Sequence, residues 1–270
     1  MKKILFTDLD GTLLNNESLI SPIMKEALQR MIHSGNTLVL SSGRPLDSIK
    51  QVKKHAGIDF PGIYIIANNG CLIYDCDNEK NLLEIRVPME QVMLAWSLAK
   101  KHSVHIQTYS DFEIITETDD PEIRVYRSKI HLPLLLAKDP SAVLKKNPYK
   151  LLAIDLNNKK HLCDYADALT EQSKKSLTTI FSNDRYLEVF SKDGGKGNAL
   201  SFLCNYLSIP IQNSYASGDA QNDLSMLQAA GTSVAMKNAD PVLFSHADII
   251  TAKTNDENGL LEVIESCLYD

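Results

Sequence analysis

The sequence predicts an α/β fold: a Rossmann-like parallel sheet core with helices on both faces, plus an inserted α+β cap domain. Three observations carry that expectation. Short, unbroken apolar runs at 4–7, 37–41 and 63–67 alternate with segments of helical spacing in the first third of the chain. The middle changes to paired strands mixed with helices, and after Lys196 the alternation returns. Strands that alternate with helices form parallel sheets, and strands buried on both faces read as continuous apolar runs.

The strand at 4–7 runs into an Asp-rich turn. Ser21 then offers a helix N-cap and Pro22 suits the first helical position. Ile23, Ala27, Leu28, Met31 and Ile32 follow at helical spacing, and Gly35 closes the helix. The second strand, 37–41, leads through a Gly-containing turn to a helix near 48–55 and a third strand at 63–67. In the middle, a helix at 89–102 precedes a hairpin of 104–109 with 113–118. A further helix, a strand at 151–156, a helix near 161–174 and strands at 178–181 and 186–190 complete that region. A helix at 198–207 and strands at 214–217, 232–236 and 249–251 close the chain. The expected division is one discontinuous core domain, 1–82 with 190–270, carrying a cap at 83–189.

Composition bounds the function. The chain has 270 residues, 44% of them hydrophobic and 23% charged, which is ordinary for a globular protein with a real core. A formal net charge of -6 disfavours a sequence-independent grip on nucleic acid. The apolar stretch after Lys2 and Lys3 is far too short for a signal peptide, and no run approaches a membrane span. The five cysteines are odd in number and form no Cys-x-x-Cys pair, so reduced thiols and a cytoplasmic location are expected.

Four short segments carry the chemistry. Asp8-Leu9-Asp10-Gly11-Thr12 follows the first strand, at the sheet edge where ligands bind in open α/β folds. Two carboxylates brought together by a tight turn suit a hard cation. Ser41-Ser42-Gly43-Arg44 follows the second strand, where a hydroxyl and backbone N–H groups can hold a phosphate. Lys196 stands at a helix start, so a cation and a helix N-terminus converge. Gly218-Asp219-Ala220-Gln221-Asn222-Asp223 again sets acids at the sheet edge. Each alone reads equally well as a turn with solvated polar groups, and a lone lysine as a surface charge.

Together, and in this order, the four resemble the motifs of the haloacid dehalogenase superfamily. Ala67-Asn68-Asn69-Gly70, Met236-Lys237-Asn238-Ala239, Ala247-Asp248 and Asn255-Asp256-Glu257-Asn258-Gly259 are similar to segments of its Cof-like members, whose type IIB cap occupies the same insertion point. One departure stands out. Those members carry a Pro and then Gly-Val-Ser before the lysine, where this chain has Ser191-Lys192-Asp193-Gly194-Gly195.

The resemblance implies a Mg²⁺-dependent phosphatase acting on a small-molecule phosphate monoester: a sugar phosphate, pyridoxal phosphate or a flavin-related phosphate. Asp8 would be the nucleophile and form a phospho-aspartate; Asp10 would be the general acid and base. Ser42, Gly43, Lys196 and Asn222 would bind the phosphoryl group. Asp8, the Asp10 backbone carbonyl, Asp219 and, in support, Asp223 would hold the metal. The cap would close over the site and read the leaving group, with Tyr109, Arg124 and Arg127 as candidate contacts, although surface roles suit each. The implied enzyme is a cytoplasmic monomer or small homo-oligomer with no nucleic-acid or membrane partner. Alternatives are a sugar phosphomutase with the same cap, a phospho-Asp signalling receiver, and a non-catalytic regulator. A receiver carries its acceptor on a middle strand and has no place for the insertion, and a regulator would not need every catalytic residue.

Overall fold

Strand β1 (Ile4–Asp8) is buried along its whole length, as a central parallel strand must be. Helix α1 (Pro22–His33) leads to β2 (Thr37–Ser41), and α2 (Leu46–His55) leads to β3 (Ile63–Ala67). Strands β4 (Leu72–Asp75) and β5 (Lys80–Glu84) then extend the same sheet. The inserted stretch runs α3 (Met89–Lys101), β6 (His105–Tyr109), β7 (Ile114–Thr116), α4 (Pro121–Arg127), β8 (Leu134–Leu136), β9 (Lys150–Ile154), α5 (Lys159–Gln172), β10 (Leu177–Asn183) and β11 (Tyr186–Ser191). The remainder runs α6 (Lys196–Tyr206), β12 (Ser214–Gly218), α7 (Leu224–Ala229), β13 (Thr232–Ala235), α8 (Pro241–Phe244), β14 (Ile249–Ile250) and α9 (Gly259–Cys267). This is a computed structural model, and it describes residues 2–267 except 111, 129 and 131. The chain divides into two units, Met1–Glu84 with Gly194–Asp270, and Ile85–Asp193.

In the first unit the sheet order is β14-β13-β12-β1-β2-β3-β4-β5. Strands β14 through β3 are parallel, with Asp8 in register with Ser41 and Thr7 with Ser217. The chain steps from β1 to β2 on one side and later returns as β12 on the other. That makes the carboxyl end of β1 a topological switch point, where open α/β sheets leave a crevice for ligands. Strands β4 and β5 run antiparallel and extend the parallel core at one edge. The sharp reversal at Asn68-Asn69-Gly70 forces it.

Helix α1 begins as expected, with Ser21 Oγ accepting from Met24 N at 3.2 Å. Its buried stripe is Met24, Ala27, Leu28 and Met31, whereas Ile23 is 50% exposed. The spacing i, i+3, i+4, i+7 starts from Met24, one residue later than the sequence reading placed it.

The second unit has its own sheet, in the order β10-β11-β9-β6-β7-β8. Alternate residues of β9 face opposite sides. Leu151 and Ala153 join Trp96, Leu98, Leu162, Tyr165 and Leu169 of α3 and α5, while Leu152 and Ile154 join Tyr109, Ile114 and Ile123 beside α4. Strand β8 is an addition to the expected pattern, pairing parallel to β7. Tyr109 is no surface residue: it is 9% exposed, and its hydroxyl lies between Gln107 Nε2 at 2.7 Å and Tyr126 Oη at 2.8 Å. Arg124 does lie at the surface, paired with Asp119 at 3.1 Å. No helix among the described residues is long and apolar enough to cross a membrane.

Candidate active site

Sheet order alone brings the loops after β12, β1, β2 and β3 side by side. Asp8 ends β1, and its side chain is nearly buried. Gly11 turns the chain with φ +82, and a Cβ there would lie 2.4 Å from Asp219 Oδ2. Both the conformation and the close approach therefore require glycine. Thr12, which the sequence reading did not single out, donates from Oγ1 to Asp219 Oδ1 at 2.8 Å and fixes that carboxylate.

Asp8, Asp219 and Asp223 offer carboxylate oxygens within 4.8 Å of one another. Lys196, the first residue of α6, reaches between two of them with a fully buried side chain. Its Nζ lies 2.6 Å from Asp8 Oδ1, 2.5 Å from Asp223 Oδ1 and 3.3 Å from Ser41 O. Asp223 Oδ2 accepts from the backbone N–H groups of Asp219 and Ala220, at 3.1 and 3.2 Å. Both Asp223 oxygens are thus committed to shaping the loop and holding the lysine. Lys192, in contrast, is exposed, and its backbone N–H donates to Ser176 O at 3.0 Å.

Three carboxylates share one ammonium here, and the electrostatics follow. Burial raises the Asp8 pKa well above the usual carboxylate range, Lys196 opposes the rise, and Asp223 and Asp219 add to it. Burial, then the charge of Asp223, pushes Asp219 up from 3.8 to about 7. Burial would lower the Lys196 pKa, but Asp223 and Asp8 overcome it and hold the value above the usual lysine range. An all-oxygen cluster with surplus negative charge suits a hard divalent cation.

Asp10 lies outside this cluster. Arg44 grips its carboxylate as a fork, Nε to Oδ2 at 2.8 Å and Nη2 to Oδ1 at 2.6 Å. Arg44 is a second residue without an assigned part in the sequence reading; a bidentate pair across two loops leaves no mark in spacing. Ser42 is buried after β2, with its N–H donating to Ile66 O at 2.9 Å and its Oγ accepting from Arg44 N at 3.2 Å. The backbone N–H groups of Ser42 and Arg44 are therefore used within the protein. Gly43 lies against Asn69, and Asn222 Nδ2 donates to Asn69 Oδ1 at 3.3 Å. Asn238 Nδ2 donates to Gly11 O at 2.8 Å, and Asn255 N to Asn238 Oδ1 at 3.0 Å. The distant Asn-containing segments thus brace the turn that carries Asp8 and Asp10.

The family profile of haloacid dehalogenase-like hydrolases matches residues 5–264. A crystal structure of a haloacid dehalogenase-like hydrolase from Bacteroides thetaiotaomicron superposes with a TM-score of 0.85 at 30% identity, covering 98% of this chain and 99% of that one. The 5-amino-6-(5-phospho-D-ribitylamino)uracil phosphatase YwtE of Bacillus subtilis is 29% identical over 300 residues, 98% of each chain. The HAD subclass IIB sugar phosphatase BT4131 shares the fold, with a TM-score of 0.82 at 20% identity over the full length of both chains. The chain belongs to the haloacid dehalogenase-like hydrolases. Within that family it is a phosphatase.

Proposed function

We propose that this phosphatase hydrolyses a small-molecule phosphate monoester, a sugar or flavin-related phosphate or pyridoxal phosphate, through a phospho-aspartate on Asp8. The observation that carries this is the placement of Asp8: at the carboxyl end of the central strand, its Oδ1 held by Lys196, within a three-carboxylate cluster. YwtE and BT4131, by their names, support the first two substrate classes.

The donor set fits Mg²⁺, held by the carboxylates of Asp8 and Asp219 and the backbone carbonyl of Asp10, with Asp223 supporting the loop. Mg²⁺ would offset the repulsion between a carboxylate nucleophile and an anionic phosphoryl group. An Asp8 oxygen attacks phosphorus, and the bond from phosphorus to the leaving oxygen breaks. Asp10 donates a proton to that oxygen and then takes one from the attacking water. Water attacks the phosphorus of the acyl phosphate, which releases inorganic phosphate and restores the Asp8 carboxylate. Ser42, Gly43, Lys196 and Asn222 would bind the phosphoryl group, and Asp10 would release the Arg44 fork, which occupies both its oxygens, to take up its proton-transfer role.

The test is phosphate release over a panel of phosphorylated metabolites, with Mg²⁺ and with excess chelator. Turnover that vanishes with chelator and returns with Mg²⁺ supports the reading. Full activity in chelator contradicts the metal, and isomerised sugar phosphate without free phosphate contradicts hydrolysis.

A further inference from the structure

The turn after β3 passes through the left-handed region at three residues in succession. Asn68, Asn69 and Gly70 are buried and have consecutive positive φ angles of 51, 55 and 92. Asparagine tolerates the left-handed region better than most residues, yet two in succession before a glycine is a strained arrangement that its surroundings must hold.

The surroundings are the phosphoryl-binding parts proposed above. Asn68 N donates to Arg44 O at 3.0 Å and Asn69 N to Ser42 O at 3.1 Å, so the turn is stitched to the hydroxyl turn. A Cβ on Gly70 would lie 2.2 Å from Gly195 O, so the turn abuts the residue that caps α6 and precedes Lys196. A Cβ on Gly43 would lie 2.9 Å from Asn69 Oδ1, and that same oxygen accepts from Asn222 Nδ2. The Asn69 carboxamide therefore stands where the segments bearing Ser42, Lys196 and Asn222 meet.

Asn69 is 1% exposed, and its Nδ2 has no hydrogen-bond partner among the described residues. A buried amide NH₂ left unpaired is costly, and native proteins rarely keep one without a use. A transferring phosphoryl group brings three equatorial oxygens, all acceptors. Two neighbouring backbone donors are used within the protein, the Ser42 N–H to Ile66 O and the Arg44 N–H to Ser42 Oγ, and Lys196 Nζ divides its hydrogens among Asp8, Asp223 and Ser41, so a further donor has a use there. Asn69 Nδ2 is a buried donor beside the Gly43 backbone of the hydroxyl turn.

We infer that Asn69 is a substrate-contacting residue of the phosphoryl pocket, its Nδ2 donating to a non-bridging phosphoryl oxygen while its Oδ1 orients Asn222. This rests on the phosphatase reading. Two variants separate contact from turn geometry. Asn69→Gly removes the carboxamide and keeps a positive φ without strain. Asn69→Asp keeps shape and left-handed tolerance but replaces the donor with a negative acceptor.

The experiment measures inorganic phosphate binding by calorimetry at saturating Mg²⁺, with kcat and KM on an active substrate and melting curves for all three proteins. Asn69→Gly should weaken phosphate binding by about tenfold, the effect of losing one hydrogen bond to a charged group. Asn69→Asp should be weaker still, with kcat/KM falling in the same order. A turn that merely needed its shape would leave phosphate affinity unchanged in both, since glycine and aspartate each keep the positive φ. Unchanged phosphate affinity in folded Asn69→Gly, or Asn69→Asp binding phosphate more tightly than Asn69→Gly, overturns the inference while leaving the phosphatase reading intact. Wild-type protein that neither binds phosphate nor releases it overturns both.

Discussion

Lys196 carries a full charge in a place where burial alone would favour its neutral form, and the carboxylates of Asp223 and Asp8 keep it protonated. A charge-assisted contact of this kind is worth roughly 1.5–3 kcal/mol. Each 1.36 kcal/mol lost from the transition state costs about tenfold in rate. Lys196→Ala should therefore lose at least about tenfold in kcat at saturating Mg²⁺. It should also melt lower, because breaking a buried ion pair leaves uncompensated charge, at about 3–5 kcal/mol. Lys192→Ala, at an exposed position, should change little. Steady-state kinetics on both variants checks this, and the reverse ranking would make Lys192 the working lysine. The preference for Lys196 was legible in the sequence because it abuts the apolar-periodic helix containing Ala199, Leu200 and Leu203. The Arg44–Asp10 fork and the Thr12–Asp219 bond were not, since they depend on how two loops far apart in the chain face each other.

At the scale of elements, the site is what two loops make of each other: the one after β1, with Asp8, and the one after β12, with Asp219 and Asp223. Asp219, pushed up to about 7, binds a proton in the folded state that it gives up near 3.8 in the unfolded chain. Between those values the folded state holds more protons, so this group's contribution to stability falls as pH rises through the window and is fully lost above 7. A bound dication reverses the loss, and it must compete with the proton for the same oxygens. Mg²⁺ should accordingly raise the melting temperature more at pH 8 than at pH 6. At a hundredfold excess over Kd the linkage is worth about 2.7 kcal/mol, with each kcal/mol worth roughly 2–4 °C in a chain of this size. Calorimetric melts at the two pH values check it; an equal or larger shift at pH 6 would contradict the proton–metal competition. Strands β1, β2 and β3 were readable because burial on both faces writes an apolar run. Strands β5 and β8 were not: β5 is Lys-Asn-Leu-Leu-Glu and largely exposed, and β8 is three residues long.

At the scale of the molecule, alternation of strand and helix on either side of a differently patterned middle predicts a parallel core and an inserted α+β cap, and the structure has both. Each unit fills its own core: Phe6, Leu38 and Ile65 lie within the first, and Trp96, Leu151 and Tyr165 within the second. Composition contributed exclusions rather than a function. The function came from four short segments whose spacing in sequence is arbitrary, from 23 residues between Lys196 and Asp219 to 154 between Ser42 and Lys196. Sheet order is what makes them neighbours, and only their joint likeness to a known family exposed that in advance. The strained Asn68-Asn69-Gly70 turn was visible as a likeness without a physical reason, because its use depends on contacts with three other segments.

Rapid-quench trapping reads the covalent phosphate on Asp8 itself. Asp10→Asn protein, lacking the proposed base, is mixed with radiolabelled acetyl phosphate, whose good leaving group does not need Asp10's proton. The mixture is quenched in acid, and the labelled peptide is mapped. A base-labile phosphoryl label should appear on the peptide containing Asp8, formed at least as fast as phosphate release and absent when Asp8→Asn is added. Phosphate release without any label on Asp8, or a label that survives Asp8→Asn, would contradict it.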